Sequence, residues 1–315
     1  MPRTRPRKRP ATRALLATAE KHVVYVHGIC RHDPGFSKPW FAAMKPYVGD
    51  IQEENCHEVL WSDIVHPTAL ASMARAQIRS RAVLNLMHPK APEDGEPDVM
   101  TQIKDFLADR AQQQFLEANL RSAGPGQGTA LMRLPTVAPQ AMFSIPALEC
   151  VDDFADYLRD RNVRDQVIDR FHQVVRPLLG QGARLHVISH SWGTVVAYEG
   201  LRLLDGENVG EGIVHNFFTV GSALAIPPVK HRLIAEAMDG ARPRLVQNWV
   251  NLDAHFDIVG GPLQGVPFAV DQEFLGLEPI GCSAIFPNPV CAHGSYFNME
   301  NVPVNRDIFG RFIGS

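Results

Sequence analysis

Short runs of apolar and β-branched residues alternate with longer amphipathic stretches along much of the chain. We predict strands in five of these runs, at residues 22–27, 58–65, 184–188, 214–221 and 245–251. The amphipathic stretches predict a helical region over 151–178 and a helix from Val195 to Leu204, which ends before Gly206. Strands that alternate with helices indicate an α/β class with a mostly parallel central sheet flanked by helices.

The alternation stops between about residues 66 and 147. This segment predicts two helices, at 67–87 and 98–122, joined and followed by loops rich in proline and glycine. In the second helix Ile103, Phe106 and Leu107 fall on one helical stripe. The segment holds five of the nine methionines, which can line an adaptable apolar pocket but more often fill gaps in a core. We interpret the segment as a helical cap inserted in a single domain over 21–315.

Charge and length limit the remaining possibilities. Six of the first thirteen residues are basic and alternate with prolines, which predicts a disordered arm over 1–20. The apolar stretch 14–19 is shorter than the roughly 7–15 residues of an export signal, and no run reaches the roughly 18 residues of a membrane span. The net charge of -3 gives no electrostatic reason to expect a nucleic-acid partner. We expect a soluble, cytoplasmic protein; secretion without a signal, transient contact with a membrane surface, and the oligomeric state stay open.

The chain has five cysteines, an odd number at scattered spacing. This pattern favours reduced thiols packed in a cytosolic protein. The alternative is one disulfide between Cys282 and Cys291, which would close a short loop just before His293. The sequence leaves both interpretations open.

The strongest chemical feature is the pentapeptide Ser189-His190-Ser191-Trp192-Gly193, set between a predicted strand and a predicted helix. A serine hydroxyl is a poor nucleophile until a base removes its proton, and a sharp strand–turn–helix can present it above a sheet edge. Such a turn needs small residues two positions before and after the serine. Gly193 meets this need fully and Ser189 less completely. The alternative is that Ser191 is an ordinary N-cap of the following helix.

Four segments in a fixed order resemble the lipase and esterase branches of the α/β-hydrolase family. The resemblance covers about residues 22–300 without the insert, and the usual pattern at the nucleophile is G-x-S-x-G, from which Ser189 departs. The matching segments are Val-Tyr-Val-His27-Gly28, Ser-His-Ser191-Trp-Gly193-Thr, Asn251-Leu-Asp-Ala-His-Phe-Asp257-Ile-Val and Ala-His293-Gly-Ser-Tyr-Phe. The resemblance implies the α/β-hydrolase fold and a serine ester hydrolase with Ser191 as nucleophile.

Chain order indicates the general base. Four histidines follow Ser191, and only His293 lies beyond the region of Asp257. A base in this role needs a pKa near neutrality and two ring nitrogens, one for the serine and one for an orienting carboxylate. The carboxylate is expected just after the strand near Asn251, which leaves Asp253 and Asp257. The family pattern of aspartate, any residue, then valine favours Asp257 over Asp253.

The resemblance also implies an oxyanion hole formed by two backbone N–H groups. One belongs to Trp192, after the nucleophile, and the other to Ile29 or else Cys30, just past His27-Gly28. His27 stands at the wrong point of the order for a triad base, so we interpret it as structural. No histidine pair has metal-ligand spacing and no glycine-rich stretch has the context of a phosphate loop, so we expect neither metal nor cofactor.

The sequence thus predicts hydrolysis of carboxylic esters, including lipid-like acyl esters, through an acyl-enzyme. Two alternatives remain open at this point. One is a thioesterase or acyltransferase that uses the same triad, and the other is a non-catalytic protein of this fold that binds a ligand or a partner.

Overall fold

The computed structural model describes residues 20–65, 98–122, 151, 153–264, 268–282 and 288–315. The predicted basic arm, except for residue 20, lies outside the described residues, and so does the predicted helix 67–87. The second predicted helix of the insert is confirmed as Val99–Ser122. Of the five methionines of the insert only Met100 belongs to the described part, and it is buried in the main core.

Six parallel strands form the central sheet, in the order β2-β1-β3-β4-β5-β6. The strands are β1 (Lys21–Val26), β2 (Cys56–Val59), β3 (Arg184–His190), β4 (Ile213–Val220), β5 (Val246–Ala254) and β6 (Gln272–Leu277). In the register, Val24 lies opposite Val187 and Phe218 lies opposite Val250. The prediction of a parallel sheet in an α/β protein is confirmed.

Helices cover the sheet and connect its strands. They are α1 (Lys38–Met44), α2 (Ser62–Val65), α3 (Val99–Ser122), α4 (Asp153–Arg159), α5 (Arg161–Gly180), α6 (Gly193–Leu204), α7 (Pro227–Lys230), α8 (Pro289–Gly294) and α9 (Arg311–Ile313). Short 3-10 turns occupy Glu53–Asn55, Ala223–Ala225 and Ser295–Phe297, and Pro303–Gly310 is a π-helix. Within the described ranges no helix is both long and apolar enough to cross a bilayer.

Two predicted elements differ from the observed ones. The run 58–65 is not one strand, because β2 ends at Val59 and the short helix α2 begins at Ser62. The chain turns at Trp61, whose carbonyl oxygen accepts a hydrogen bond from the Ile64 N–H at 3.1 Å. The helical region 151–178 is two helices, because Asp160 leaves the helical conformation and its side chain caps α5 by accepting a hydrogen bond from the Asn162 N–H.

Apolar side chains pack on both faces of the sheet, because successive residues of a strand point to opposite sides. Phe217 belongs to the core under α3, α5 and α6, and its neighbour Phe218 belongs to the core under α1 and the C-terminal helical segment. Both faces are therefore covered. The carboxyl ends of the strands remain as the edge where loops can build a site, as in other open parallel sheets.

Candidate active site

Ser191 occupies a sharp turn between β3 and α6. Its backbone φ of +57° lies in the left-handed region, which non-glycine residues rarely adopt. The turn is fixed on both sides, since the Ser191 N–H donates to the Val220 carbonyl at 2.9 Å and the Thr194 hydroxyl donates to the Ser191 carbonyl at 2.6 Å. Trp192, not Ser191, takes the N-cap position of α6. The structure therefore does not support the interpretation of Ser191 as a helix cap.

Small residues around Ser191 permit this close packing. A Cβ on Gly193 would lie 2.7 Å from the Val26 carbonyl oxygen, and a Cβ on Gly28 would lie 2.7 Å from the Ser191 Cβ. Ser189 is tolerated where the family pattern has glycine, because its buried hydroxyl donates a hydrogen bond to the Phe218 carbonyl at 2.8 Å. The departure at Ser189 is thus compensated by a bond to the neighbouring strand.

His293 and Asp257 form a buried acid–base pair. The His293 Nδ1 lies 2.9 Å from Oδ2 and 3.0 Å from Oδ1 of Asp257. An ionised carboxylate only accepts hydrogen bonds, so Nδ1 carries the proton and Nε2 remains as the acceptor. The two residues that the resemblance pairs as base and acid are therefore in direct contact.

Three further donors hold the Asp257 carboxylate. The Tyr296 hydroxyl donates to Oδ2 at 2.6 Å, and the N–H groups of Val259 and Gly260 donate to Oδ1 at 2.8 and 3.0 Å. Burial by itself raises the pKa of Asp257, but the neighbouring His293 and these hydrogen bonds outweigh it and hold the pKa well below its usual range. Asp257 is therefore charged at neutral pH.

Asp253, the other candidate acid, does not contact His293. It lies near the end of β5, is 9% exposed, and its Oδ1 has no hydrogen-bond partner. Burial, together with the negative charge of Asp257, raises the pKa of Asp253 to about 7. The structure brings Asp257 and not Asp253 to the imidazole.

Gly221 makes room for the acid–base pair, a requirement that the sequence did not reveal. A Cβ at this position would lie 2.7 Å from Oδ2 of Asp257 and 2.9 Å from Nδ1 of His293. The φ of Gly221 is also positive, at +53°. The only sequence signal was a glycine as the last residue of a predicted strand (214–221), which is also typical of an ordinary turn.

His190 supports His293 from the other side. Its ring lies 4.5 Å from the His293 ring, and its Nε2 donates to the His293 carbonyl at 2.7 Å. Burial, helped by the nearby His293, lowers the pKa of His190 to about 3, so that it is neutral under ordinary conditions. The sequence analysis assigned no role to His190, so this supporting contact was missed.

Ser191 and His293 line the same cavity. Within the described part of the chain the Ser191 hydroxyl makes no hydrogen bond, to His293 or to any other group. Such contacts between nucleophile and base are often long in the absence of substrate and tighten in the complex. The structure thus brings Ser191 and the His293–Asp257 pair to one cavity without a hydrogen bond between Ser191 and His293.

The predicted oxyanion residues line the same cavity as Ser191. The backbone N–H groups of Ile29 and Trp192 make no hydrogen bond within the described ranges, and both residues line the cavity. The loop of Ile29 is held by His27, whose Nε2 accepts from the Trp61 N–H at 3.2 Å and whose Nδ1 donates to the Gly28 carbonyl at 2.6 Å. His27 therefore has the structural position that the sequence indicated.

The cavity beside Ser191 has a volume of about 230 Å³. Its polar side chains are those of Ser191, His32, His190 and His293, and no Asp, Glu, Lys or Arg is among the described residues that line it. The apolar lining consists of Ile29, Val151, Trp192, Ile258, Val259, Pro289 and Val290. An uncharged, apolar group suits this surface best.

A disulfide adjoins His293, the predicted general base. Cys282 and Cys291 are bonded, with their Cα atoms 5.8 Å apart, and Cys291 lies on α8 two residues before His293. Cys30, next to Ile29, is also disulfide-bonded, whereas Cys56 is a free, half-buried thiol. The prediction that the cysteines are reduced thiols is therefore wrong, and the alternative pairing of Cys282 with Cys291 is confirmed.

In the part of the chain that the structure describes, no group of three or more His, Cys, Asp or Glu residues is arranged to hold a metal ion. Comparison of the chain with protein-family models, curated proteins and solved structures gives no match. The function is therefore argued from the geometry of this site.

Proposed function

We propose that the protein is a serine hydrolase of the α/β-hydrolase fold that cleaves carboxylic esters through an acyl-enzyme. One observation carries the proposal. Ser191, which has a left-handed backbone conformation in a strand–turn–helix, shares a cavity with His293, and Nδ1 of His293 is hydrogen-bonded to the buried, charged Asp257. A protein that only binds a ligand has no need for these three groups together.

The proposed reaction has two halves, acylation of Ser191 and hydrolysis of the acyl-enzyme, and the same groups of the site act in both. The Ser191 oxygen attacks the ester carbonyl while Nε2 of His293 takes the hydroxyl proton, and this proton is then given to the departing alcohol. Asp257 stabilises the imidazolium that forms in between. Water, deprotonated by the same nitrogen, then attacks the acyl-enzyme; the bond between the acyl carbon and the Ser191 oxygen breaks, this oxygen takes the proton back from Nε2, and the acid leaves. The N–H groups of Ile29 and Trp192 stabilise the negative oxygen of both tetrahedral intermediates, at about 3–4 kcal/mol for each donor.

The lining of the cavity favours an uncharged, apolar acyl group. Ile29, Ile258 and Val259 offer no partner for a charged substituent, and burying an unpaired charge against them would be costly. We therefore propose apolar acyl esters, including lipid-like ones, as the substrate class. The insert is proposed to act as a cap over this region, and its helix α3 reaches the acid loop, where the Gln114 amide donates to the Asp257 carbonyl at 3.0 Å.

The disulfide beside His293 affects the expected location. The cytoplasmic location inferred from the sequence stays a prediction, and the Cys282–Cys291 bond favours an oxidising compartment instead, because most cytosolic proteins keep their thiols reduced.

Labelling with a fluorophosphonate tests the proposed nucleophile. We expect the adduct on Ser191, no labelling of Ser191→Ala, and normal labelling of Ser189→Ala, which removes a neighbouring buried hydroxyl. Hydrolysis of p-nitrophenyl esters of increasing acyl length then defines the chain that the cavity accepts. We expect Ser191→Ala to retain only a roughly 10³–10⁴-fold acceleration over the uncatalysed reaction. An adduct elsewhere, or a Ser191→Ala variant as active as wild type, would contradict the proposal.

The same assay separates hydrolysis from acyl transfer. An added alcohol should intercept the acyl-enzyme only weakly in a hydrolase and preferentially in an acyltransferase, while a thioester substrate in place of the ester reveals a thioesterase. A chain that neither reacts with the fluorophosphonate nor cleaves any ester would support the non-catalytic alternative.

A further inference from the structure

Asp253 is a buried carboxyl that the proposed reaction does not use. It lies on β5 four residues before Asp257, and its Oδ1 is shielded from solvent without a hydrogen-bond partner. Buried polar atoms are nearly always paired, so an orphaned carboxyl oxygen beside an acid–base pair requires an explanation. Packing alone would be served better by an apolar side chain.

Gly260 separates Asp253 from Asp257 without a side chain between them. A methyl group on Gly260 would lie 2.6 Å from Oδ1 of Asp253 and 3.0 Å from Oδ2 of Asp257, so the two carboxyls approach the same space. The Asp257 oxygen in question also accepts from Tyr296 and contacts His293. Asp253 therefore lies close to the carboxylate that holds the imidazole, with only Gly260 beside both.

The charged groups that act on Asp253 come from four sides. They are Arg110 of α3, Glu273 of β6, Asp257 of the loop after β5, and His293 of α8. The guanidinium of Arg110 packs against Gly261, where a Cβ would lie 3.0 Å from Nη1. Arg110 and a protonated His293 favour the charged form of Asp253, whereas Asp257 and Glu273 oppose it.

Two buried carboxyls this close do not both ionise easily, so they share one negative charge. The charge resides on Asp257, because only Asp257 accepts hydrogen bonds from His293, Tyr296 and Gly260. Burial and the negative charge of Asp257 raise the pKa of Asp253. If the charge of Asp257 is removed, this repulsion disappears and Asp253 ionises more readily.

We propose that Asp253 is a second positioning carboxyl of the triad, which shares one negative charge with Asp257 and supplies that charge to the His293 imidazolium when Asp257 is lost. The inference rests on the proposed function, because it requires an imidazolium to form at His293. Asp253 acts through space on the ring and does not touch the substrate.

The test compares Asp257→Ala with the double variant Asp253→Asn/Asp257→Ala, by measuring kcat/KM for a p-nitrophenyl ester across pH. We expect the residual activity of Asp257→Ala to show, in its pH profile, an ionisation that depends on Asp253 and lies below that of Asp253 in the wild type. The double variant should lack this ionisation and be roughly tenfold slower above it, as expected for a charge acting over a few ångströms. Alanine is chosen at position 257 because asparagine would donate to Nδ1 and fix the wrong tautomer.

Glu273→Gln in the Asp257→Ala background is the matched control. It removes a neighbouring carboxyl from the next strand and should leave the ionisation in place. Thermal unfolding of every variant verifies folding, and Asp253→Ser replaces Asp253→Asn if the asparagine variant does not fold. Identical pH profiles for Asp257→Ala and the double variant overturn the proposed role of Asp253. The proposed function would then still be supported by labelling of Ser191 in the wild type. Absence of labelling in the wild type overturns both.

Discussion

His190 donates a hydrogen bond from Nε2 to the main-chain oxygen of His293, 2.7 Å away, while the two rings pack 4.5 Å apart. The residue just before Ser191, the proposed nucleophile, thereby fixes the backbone of His293, the proposed base. Because desolvation lowers the pKa of the half-buried His190 to about 3, this donor keeps one protonation state over the working range of pH. The relation holds α8 against the turn at Ser191.

Replacing His190 should reduce turnover more than substrate binding. We expect His190→Phe, which keeps a ring but loses the donor, to lower kcat roughly tenfold, because one hydrogen bond that positions the base is lost. His190→Gln, which restores an N–H donor, should recover part of this loss. Steady-state kinetics with a p-nitrophenyl ester measure both. Equal kcat for wild type and His190→Phe would show that α8 does not depend on this bond.

Gly221→Ala should disrupt the acid–base pair by steric conflict. The added methyl would lie less than 3 Å from atoms of Asp257 and His293, and the alanine backbone would have to keep a positive φ. Since a displacement of about 1 Å in a catalytic group can cost roughly a hundredfold in rate, we expect a loss of that size in kcat/KM. Gly206→Ala is the control, because nothing lies within 4 Å of its added methyl. A Gly221→Ala variant as active as Gly206→Ala would refute the close packing at this position.

Tyr296→Phe removes a donor to Asp257 and leaves the Ala254 N–H, which donates to the tyrosine oxygen at 2.7 Å, without its acceptor. We expect a loss of about 1–3 kcal/mol in the free energy of unfolding, measured by urea denaturation. Because a bond to the charged form of Asp257 is lost, the pKa of Asp257 should rise, so the stability that depends on its charge should be lost at a higher pH on acidification. Tyr47→Phe, for which the described residues show no hydroxyl hydrogen bond, should change neither property.

Acid should weaken the fold through Asp257. The pKa of Asp257 is lower in the folded than in the unfolded chain, where a typical value is about 3.9. Its contribution is thus fully present above the unfolded value and is lost as pH falls toward the folded one. The difference in free energy of unfolding between wild type and Asp257→Asn should be largest near neutrality and shrink below about pH 4. Urea titrations at several pH values measure it, and a constant difference would contradict this linkage.

Loss of the Cys282–Cys291 disulfide should lower kcat while KM changes little, because the bond anchors the helix that carries His293. The double variant Cys282→Ser/Cys291→Ser provides the test. Cys56→Ser, which removes the free thiol, is the control and should behave as wild type. Mass spectrometry of alkylated peptides verifies the bond. A double variant with unchanged kcat would show that α8 is held by its other contacts alone.

The sequence predicted the strands that are buried on both faces, because short apolar runs rich in β-branched residues favour a strand over a helix. β6 was missed, because Gln272, Glu273 and Gly276 interrupt its apolar pattern and the strand is only half-buried at the sheet edge. The run ending at Val65 was assigned entirely to a strand, although its second half is helix α2. Periodicity alone does not separate a short buried strand from a short buried helix.

The geometry of the candidate site was predictable where chain order constrains it and not where it depends on three-dimensional packing. The sequence singled out Ser191 and His293, but its residues alone did not separate Asp253 from Asp257, because either lies within reach of a strand end. The supporting positions of His190 and Gly221 arise from contacts between segments more than thirty residues apart. No local pattern encodes such contacts.

Helix α3 has a consequence for engineering. Ile103 and Leu107 are completely buried in the same core as the central strands, and Gln114 on the same helix braces the main chain at Asp257. A shortened protein without α3 would expose part of the hydrophobic core to solvent and would also lose the hydrogen bond that holds the main chain at Asp257. Variants meant to alter the proposed substrate range are therefore better placed at described residues that line the cavity, such as Val151 and Val290, with α3 kept intact.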